Sequence, residues 1–373
     1  MRELGERLEE WCEAGTPFAT ATVVGIRGSA PRPPGATMAV SAEGEVLGSV
    51  SGGCVEGAVY ELASSLLPAA SAELATYGIS DDDAFSVGLT CGGIIDVLVS
   101  PVSADDAGLL AEVVRSEKAG DPVALAVVAT GENRGARLAI WPDRVRGSLG
   151  PGSLDAAVTE DARGMLAQGQ DGTRHYGPEG QRRLDDVEVF VQSFAPPPRM
   201  IIFGAVDFTA ALAKVGKVLG YRVTVCDARP VFATRARFPM ADEVVVAWPD
   251  KHLAEVGGSL GGRDVVCVLT HDPKFDVPAI VSALATDVGY LGAMGSRRTT
   301  DERNQRLRAA GVTDEGLARV MGPIGLDIGA RTPEETAVAI CAEIIARRTG
   351  REAPSLRDRP GPIHRDHAAA LTD

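Results

Sequence analysis

A short stretch near residue 50 concentrates the residue types that could do chemistry. It reads Ser49-Val50-Ser51-Gly52-Gly53-Cys54-Val55-Glu56, and apolar residues at helical spacing follow it. A thiol just before a helix is favoured as thiolate by the positive end of the helix dipole. The bare N–H groups of Gly52 and Gly53 are suited to hold a phosphate or another oxyanion. The alternative is a Gly-Gly turn followed by a small buried structural cysteine.

Length, charge and cysteine content narrow the class of protein. A chain of 373 residues is longer than a single hydrophobic core usually supports, so we expect two or more domains. A net charge of −14 argues against nucleic acid or an anionic membrane as the main partner. The charged N-terminus and the lack of a long apolar run predict a cytoplasmic protein without a membrane span. None of the six cysteines lies in a C-x-x-C pair, which favours reduced thiols over disulfides or zinc.

The N-terminal part of the chain contains an internal sequence repeat with two copies. Residues 17–24 recur as 122–129, and Tyr77-Gly78 recurs as Tyr176-Gly177. The offset falls from 105 at Ala19 and Ala124 to 92 at Asp96 and Glu188, so the second copy is shorter. We therefore predict one domain over residues 1–195, built from two related halves, 1–105 and 106–195.

Three features occur only in the first copy of the repeat. They are the loop at residues 27–35, the segment around Cys91, and Cys54 itself, whose counterpart in the second copy is Ser153. We interpret them as one site at the loop end of the first half, with Cys54 and Cys91 as its reactive thiols. Polar groups around these thiols complete the candidate site: Arg27, Ser29, Arg32, Ser49, Ser51, Gly52, Gly53, Glu56 and Gly92. Glu56 is either a carboxylate favoured by the helix dipole or a proton acceptor.

The C-terminal part has the pattern of a doubly wound sheet. A run of prolines ending at Pro198 marks a linker, and hydrophobic strands alternate with helices over residues 199–346. The predicted fold class is α/β, a pseudo-duplicated α/β domain followed by a Rossmann-like domain with a parallel sheet. Residues 347–373 are predicted to be a disordered tail. Three cysteines, Cys226, Cys267 and Cys341, are predicted to be core residues.

A second candidate site follows the strands of this Rossmann-like domain. Its dinucleotide fingerprint is degraded, because Val206 stands where a glycine should let the pyrophosphate approach. NAD(P) is therefore not expected to bind well. The candidate residues are Gly204, Asp227 at the place of a ribose-binding acid, Arg229, His271, and the turn Gly295-Ser296-Arg297 as an anion cradle. The alternatives are a helix-capping loop at His271 and a solvated helix start at Arg297.

The chain resembles the XdhC/CoxI family of maturation or accessory factors for xanthine dehydrogenase and carbon monoxide dehydrogenase. The resemblance is carried by residues 48–56, by Cys91-Gly92-Gly93, by the loop 27–35, and by residues 322–335. It implies binding of the molybdenum cofactor (molybdopterin), support of its sulfuration, and delivery to the apo-enzyme of a molybdenum hydroxylase. A cysteine desulfurase is a further implied partner, and a homodimer is expected. Such a protein is a maturation chaperone rather than an enzyme with its own turnover.

The resemblance also implies roles for the candidate residues. The molybdenum or its sulfur would lie near Cys54 or Cys91, since a soft metal favours thiolate, and no other metal ligand is assigned. The remaining polar residues of the first site would bind the rest of the cofactor. Two interpretations of other classes remain open: an NAD(P)-dependent oxidoreductase that uses the Rossmann-like domain, and a non-catalytic protein-binding scaffold.

Overall fold

The chain divides into two compact units in a computed structural model that describes residues 4–78, 92–182 and 184–358. The first unit comprises Met1–Pro196 and the second Pro197–Asp373. The division falls within the run of prolines that the sequence marks as a linker. The predicted site residue Cys91 and the chain beyond residue 358 lie outside the described residues.

An antiparallel sheet with two helices forms the first half of the first unit. Its elements are α1 (Gly5–Ala14), β1 (Phe18–Arg27), β2 (Thr37–Ser41), β3 (Val46–Gly48), α2 (Glu56–Leu66), β4 (Glu73–Tyr77) and β5 (Ile94–Pro101). The strands lie in the order β3-β2-β1-β5-β4. The apolar and β-branched run at residues 18–24 forms the central strand, where both neighbours and both faces bury it.

The second half repeats this arrangement element by element. It consists of α3 (Ala104–Ala119), β6 (Val123–Val128), β7 (Arg137–Ile140), β8 (Val145–Gly147), α4 (Gly152–Gln168), β9 (Gly172–Tyr176) and β10 (Val187–Phe194). Its strand order is β8-β7-β6-β10-β9, so each strand takes the place of its counterpart in the first half. The strands and helices are therefore a scaffold common to both halves.

A glycine ends the third strand of each half. Gly48 and Gly147 have φ of +70° and +93°, the left-handed region that favours glycine. An added Cβ would collide with the carbonyl oxygen of Thr37 in the first half and of Arg137 in the second. Both positions therefore require glycine, and the loop that follows leaves each sheet in the same direction.

A shared hydrophobic cluster joins the two halves, beside a core that each half builds from its own residues. The buried cluster draws on both: Leu4, Leu8, Trp11, Phe18 and Ala39, with Leu109, Leu110, Val113, Val114, Val123, Leu125, Ala139, Trp141 and Phe194. Gln192 Nε2 also donates a hydrogen bond to the carbonyl oxygen of Gly35 across the halves, at 2.9 Å. The buried Arg137 pairs with Asp106 at 3.1 Å and donates to the Thr20 hydroxyl of the other half at 3.1 Å. Each half thus supplies apolar and polar partners to the other.

The second unit is a six-stranded parallel sheet covered by helices. Its elements are β11 (Arg199–Phe203), α5 (Asp207–Val218), β12 (Arg222–Cys226), β13 (Glu243–Val245), α6 (Pro249–Val256), β14 (Val265–Val268), α7 (Pro273–Leu284), β15 (Tyr290–Ala293), α8 (Arg297–Ala309), α9 (Asp314–Ala318), β16 (Val320–Met321) and α10 (Pro333–Arg348). The order β13-β12-β11-β14-β15-β16 is the 3-2-1-4-5-6 order of a Rossmann sheet, so the predicted fold class is confirmed. Helix α10 continues to Arg348, two residues into the region predicted as a disordered tail.

Three cysteines of the second unit are core residues, as predicted. Cys226, Cys267 and Cys341 are all buried. Burial raises the pKa of the Cys226 thiol to about 12 and that of Cys341 to about 11, and it raises the pKa of Cys267 as well. These three thiols are therefore protonated and shielded near neutral pH.

Candidate functional site

The loop between β3 and α2 carries Cys54 and is folded around a carboxylate. Glu56, the first residue of α2, turns its side chain back over the loop. Six donors converge on the two carboxylate oxygens: the hydroxyls of Ser49 (2.6 Å) and Ser51 (2.5 Å), and the N–H groups of Val50 (3.2 Å), Ser51 (2.8 Å), Gly52 (2.9 Å) and Gly53 (2.8 Å). The predicted oxyanion-binding N–H groups of Gly52 and Gly53 therefore hold the chain's own carboxylate.

Glu56 is ionised throughout the neutral range. Partial burial raises the pKa of its carboxyl, but hydrogen bonds from Ser49 and Ser51 outweigh that effect and lower the pKa to about 2. A negative charge at the first turn of α2 is also favoured by the helix dipole. A carboxylate with so low a pKa is a poor proton acceptor near pH 7. Of the two roles considered for Glu56, the geometry favours the helix-start carboxylate.

Cys54 lies immediately before the N-cap residue of α2, Val55. The N–H groups of Cys54 and Val55 both donate to the Ser51 hydroxyl oxygen at 3.0 Å. The Cys54 side chain is half-buried and packs against the apolar core of the first half, as does Ala30 of the loop after β1. The thiol is therefore held at a fixed place between that core and solvent.

Gly52 and Gly53 leave the outer side of this loop open. Both are exposed, with φ of +77° and +119°. Within the part of the chain that the structure describes, a Cβ added at either position would meet no atom within 4 Å. The backbone next to Cys54 is therefore uncovered by the described residues.

The second half contains the same loop without the thiol. Ser148 donates to Asp155 at 2.8 Å, as Ser49 does to Glu56, and the N–H of Leu149 donates to Asp155 at 2.7 Å. Ser153, the counterpart of Cys54, donates to Glu179 at 2.8 Å. Sequence reasoning missed Asp155, although Ser148 and Asp155 have the same seven-residue spacing as Ser49 and Glu56. The carboxylate thus occurs in both halves as part of their common scaffold, whereas the thiol occurs only in the first half.

Strand register puts the predicted site segments at one end of the first sheet. Arg27 at the end of β1 pairs with Ile94 at the start of β5. Met38 at the start of β2 pairs with Gly48 at the end of β3. Three segments therefore leave the sheet at the same end of its strands: the loop after β1, the Cys54 loop and the chain leading into β5.

The loop after β1 is anchored at its start. The guanidinium of Arg27 pairs with Asp96 at 3.0 Å, and Asp96 also accepts a hydrogen bond from Thr76 at 2.6 Å. Sequence reasoning missed this role of Asp96, since pairing between β1 and β5 creates it. Arg27, predicted to bind the cofactor, is thus engaged by its own chain.

The chain leading into β5 packs on this loop. Gly93 lies so close to Ser29 that an added Cβ would collide with the Ser29 carbonyl oxygen. Ser29 and Gly92 are exposed, and Arg32 is half-buried. The structure therefore brings the loop and the Gly92-Gly93 segment together, one residue from the predicted Cys91.

The predicted second site lies along the carboxyl edge of the parallel sheet. Gly204 follows β11, Asp227 and Arg229 follow β12, His271 follows β14, and residues 295–297 follow β15. Ligands bind at this edge in open α/β sheets. Ser296, however, accepts a hydrogen bond from the N–H of Thr299 at 3.1 Å and is the N-cap of α8. Arg297 and His271 are exposed, and the cap of α7 is Asp272 rather than His271.

Asp227 is engaged by its own chain instead of being open to a ribose. One oxygen accepts from the N–H and Nε of Arg229, both at 2.9 Å, and the other from Arg229 Nη2 at 2.8 Å and the N–H of Ala205 at 2.7 Å. Burial raises the pKa of this carboxyl, but the bonds from Arg229 and Ala205 prevail and lower it. Asp227 therefore ties the end of β12 to the turn after β11.

Two searches of the described residues bear on metal and membrane binding. Over residues 4–78, 92–182 and 184–358, no group of three or more His, Cys, Asp or Glu side chains is placed to hold a metal ion. No helix in these ranges is long and apolar enough to cross a membrane.

Comparison with known proteins identifies both units. A family model described as the XdhC Rossmann domain matches residues 200–344. A second model, described as the XdhC and CoxI family, matches residues 11–78 and 116–177, one segment in each half of the first unit. The chain therefore belongs to the XdhC and CoxI family.

Three proteins match this chain over most of their own length. A Bacillus subtilis protein named as a probable xanthine dehydrogenase subunit is 29% identical over 88% of this chain and 92% of its own. The molybdenum cofactor insertion chaperone PaoD of Escherichia coli is 25% identical over 92% and 87%. A crystal structure of a xanthine dehydrogenase from Bacillus halodurans is 26% identical, with a TM-score of 0.61, and the match covers 94% of this chain and 97% of that one.

Proposed function

We propose that this protein is a maturation factor that binds the molybdenum cofactor and inserts it into a molybdenum hydroxylase. Membership of the XdhC and CoxI family supports this, and so does similarity to a protein named as a molybdenum cofactor insertion chaperone. The match to that chaperone spans both units, so the proposal concerns the whole chain rather than one domain. The cofactor is cargo here and not a resident group.

The difference between the two halves carries the assignment of the site. Both halves present a loop between third strand and helix, tied to a carboxylate, but only the first carries a thiol, Cys54. A thiolate is the protein ligand that suits a soft metal centre or its sulfur. Cys54 is therefore the proposed contact to the molybdenum end of the cofactor, and the loop after β1 borders it.

The phosphate end of the cofactor would meet a less suitable environment at this loop. The N–H groups of Gly52 and Gly53 already bind Glu56, whose low pKa keeps it ionised. A phosphate at the same N–H groups would face this negative charge at short range, which is unfavourable. The Cys54 thiol therefore fits a metal or sulfur contact, whereas the N–H groups of Gly52 and Gly53 do not fit a phosphate while Glu56 is in place.

The proposal extends to sulfuration as support rather than catalysis. A held thiol next to the metal end can keep a sulfur-bearing cofactor in place while a partner such as a cysteine desulfurase supplies the sulfur. The chain needs no turnover of its own for that role.

Titration with molybdenum cofactor released from a molybdoenzyme tests the proposal. Cys54→Ser should weaken binding about tenfold or more, since it replaces a soft sulfur with a hard hydroxyl oxygen. Ser153→Ala, at the matched position of the second half, should bind as the parent does. Delivery to an apo-hydroxylase should fall in parallel with binding. Equal binding and delivery by Cys54→Ser and the parent would show that the thiol is structural.

A further inference from the structure

We propose that Ser51 and Glu56 are positioning residues that hold the backbone of Cys54 in the conformation that presents its thiol. Glu56 gathers the loop through its carboxylate, and Ser51 passes that restraint on to Cys54. The inference extends the proposed function, because its predictions for cofactor binding rest on Cys54 as the cofactor contact.

The path of restraint consists of three hydrogen bonds that share the Ser51 hydroxyl. The Ser51 hydroxyl donates its proton to Glu56 at 2.5 Å. The Ser51 oxygen is therefore left to accept, and it accepts a hydrogen bond from the N–H of Cys54 at 3.0 Å. The same oxygen accepts from the N–H of Val55, the N-cap residue of α2. Ser51 is 2% exposed, so water does not readily replace these bonds. The carboxylate, the hydroxyl and the Cys54 backbone therefore move as one group.

The second half lacks this path at the same two positions. Gly150 stands in place of Ser51, so no hydroxyl is present, and Pro151 stands in place of Gly52, so no N–H is present. Asp155 still binds Ser148 and Leu149, which is enough to form the loop. The additional bonds to the carboxylate occur only in the half that carries the thiol. Loop formation alone does not account for them, whereas positioning of Cys54 does.

The hydroxyl of Ser51 gives the proposal a specific signature. Ser51→Ala removes the bonds to the N–H groups of Cys54 and Val55 while the Glu56 carboxylate stays. A residue that only stabilised the fold would change the melting temperature without changing the rate at which Cys54 of the folded chain reacts.

The test is the rate of Cys54 alkylation by iodoacetamide at one fixed pH in the folded full-length chain, followed on the Cys54 peptide by mass spectrometry. Ser51→Ala, which keeps the carboxylate but removes the bond to Cys54, should change that rate severalfold. Glu56→Gln should change it in the same way, and Glu56→Asp, which keeps a carboxylate, should restore it in part. Asp155→Asn is the matched control in the second half and should leave the rate unchanged. Both Glu56→Gln and Ser51→Ala should weaken binding of the molybdenum cofactor about tenfold.

Three outcomes would overturn the proposal. One is an alkylation rate and a cofactor affinity in both Glu56→Gln and Ser51→Ala that equal those of the parent. Another is an equal change of the Cys54 alkylation rate by Asp155→Asn, since the effect would then be general to the fold. The third is full cofactor affinity in Ser51→Ala when Cys54→Ser has lost it, which would show that the bond to Cys54 is not needed. If instead Cys54→Ser binds cofactor normally while Ser51→Ala still changes the alkylation rate, the proposed function fails and the positioning role remains.

Discussion

At the scale of single residues, hydrogen bonding decides which polar groups can meet a ligand. The carboxylates of Glu56 and Asp227 each accept several bonds from their own chain. A ligand that took those donors would have to break bonds worth about 1–3 kcal/mol each when left unsatisfied. Both residues were predicted to contact a cofactor or substrate. The geometry makes them parts of the scaffold that shapes the two candidate sites.

A buried histidine gives the second unit a dependence on pH. His252 on α6 is 5% exposed, packs edge-on to the ring of Phe203, and its Nδ1 has no hydrogen-bond partner among the described residues. Burial lowers its pKa, against the opposing effect of Glu243 and Glu255. The folded state therefore binds the proton less tightly than the unfolded state. The stabilisation is present above the ordinary pKa of about 6.5 and is lost as the pH falls below it.

The expected result is a melting temperature that falls between pH 7.5 and pH 5.5 in the parent and falls less in His252→Leu. Thermal unfolding of the full-length chain at the two pH values measures it. His175→Leu, at an exposed histidine of the first unit, is the control and should fall as the parent does. A fall in His252→Leu as large as in the parent would exclude His252 as the cause.

Residue types and spacing could predict where Cys54 lies but not what surrounds it. The helix start after Cys54 follows from the spacing of Val55 and Val59 along the chain, and the repeat shows that the thiol is private to one half. The contact of Glu56 with six donors depends on the left-handed backbone of Gly52 and Gly53, which folds the loop over the carboxylate. Sequence spacing does not determine such a fold-back.

At the scale of elements, the turn between β11 and α5 decides whether the Rossmann sheet binds a dinucleotide. Val206 is the N-cap of α5 and packs against the core, where a binding fingerprint needs a bare glycine. The N–H of Ala205 is taken by Asp227. We therefore expect this turn to bind a dinucleotide poorly, which disfavours an NAD(P)-dependent oxidoreductase.

Calorimetric titration with NAD and NADP should accordingly show no binding tighter than about 1 mM. The loss of one close contact together with a steric clash costs on the order of a hundredfold in affinity. Val206→Gly should regain part of that affinity if the rest of the crevice is suitable. Micromolar binding by the parent would show that Asp227 and Val206 rearrange to admit the cofactor.

The strands of the Rossmann sheet could be predicted from their apolar runs, with one exception. Strand β16 has two residues and only half-buried side chains, so it produces no periodic signal. Its position is set by pairing with β15, which is a property of the folded sheet. The order of the strands likewise comes from packing and from the handedness of the crossovers rather than from any one segment.

At the scale of the whole molecule, the first unit is expected to fold only when both halves are present. Leu8, Trp11 and Phe18 of the first half are buried in a cluster that consists largely of second-half residues. Exposing them costs about 1.5–3 kcal/mol each, which together is comparable to the whole stability of a domain, about 5–15 kcal/mol. We therefore expect the core that each half builds from its own residues to be insufficient without the shared cluster.

A fragment of residues 1–105 should therefore show no cooperative thermal transition, whereas residues 1–196 should melt in one step. Circular dichroism and calorimetry of the two fragments measure this. A soluble fragment 1–105 with a sharp melting transition would show that the first half's own core is enough to stabilise it.

Native mass spectrometry of the protein made in cells that synthesise molybdenum cofactor tests the central claim most directly. The parent should carry a bound pterin with molybdenum, and Ser153→Ala should carry the same amount. Cys54→Ser should retain little or none while melting close to the parent temperature, because a half-exposed loop thiol buries little area. A parent that carries no pterin, or a Cys54→Ser variant that carries as much as the parent, would contradict the account.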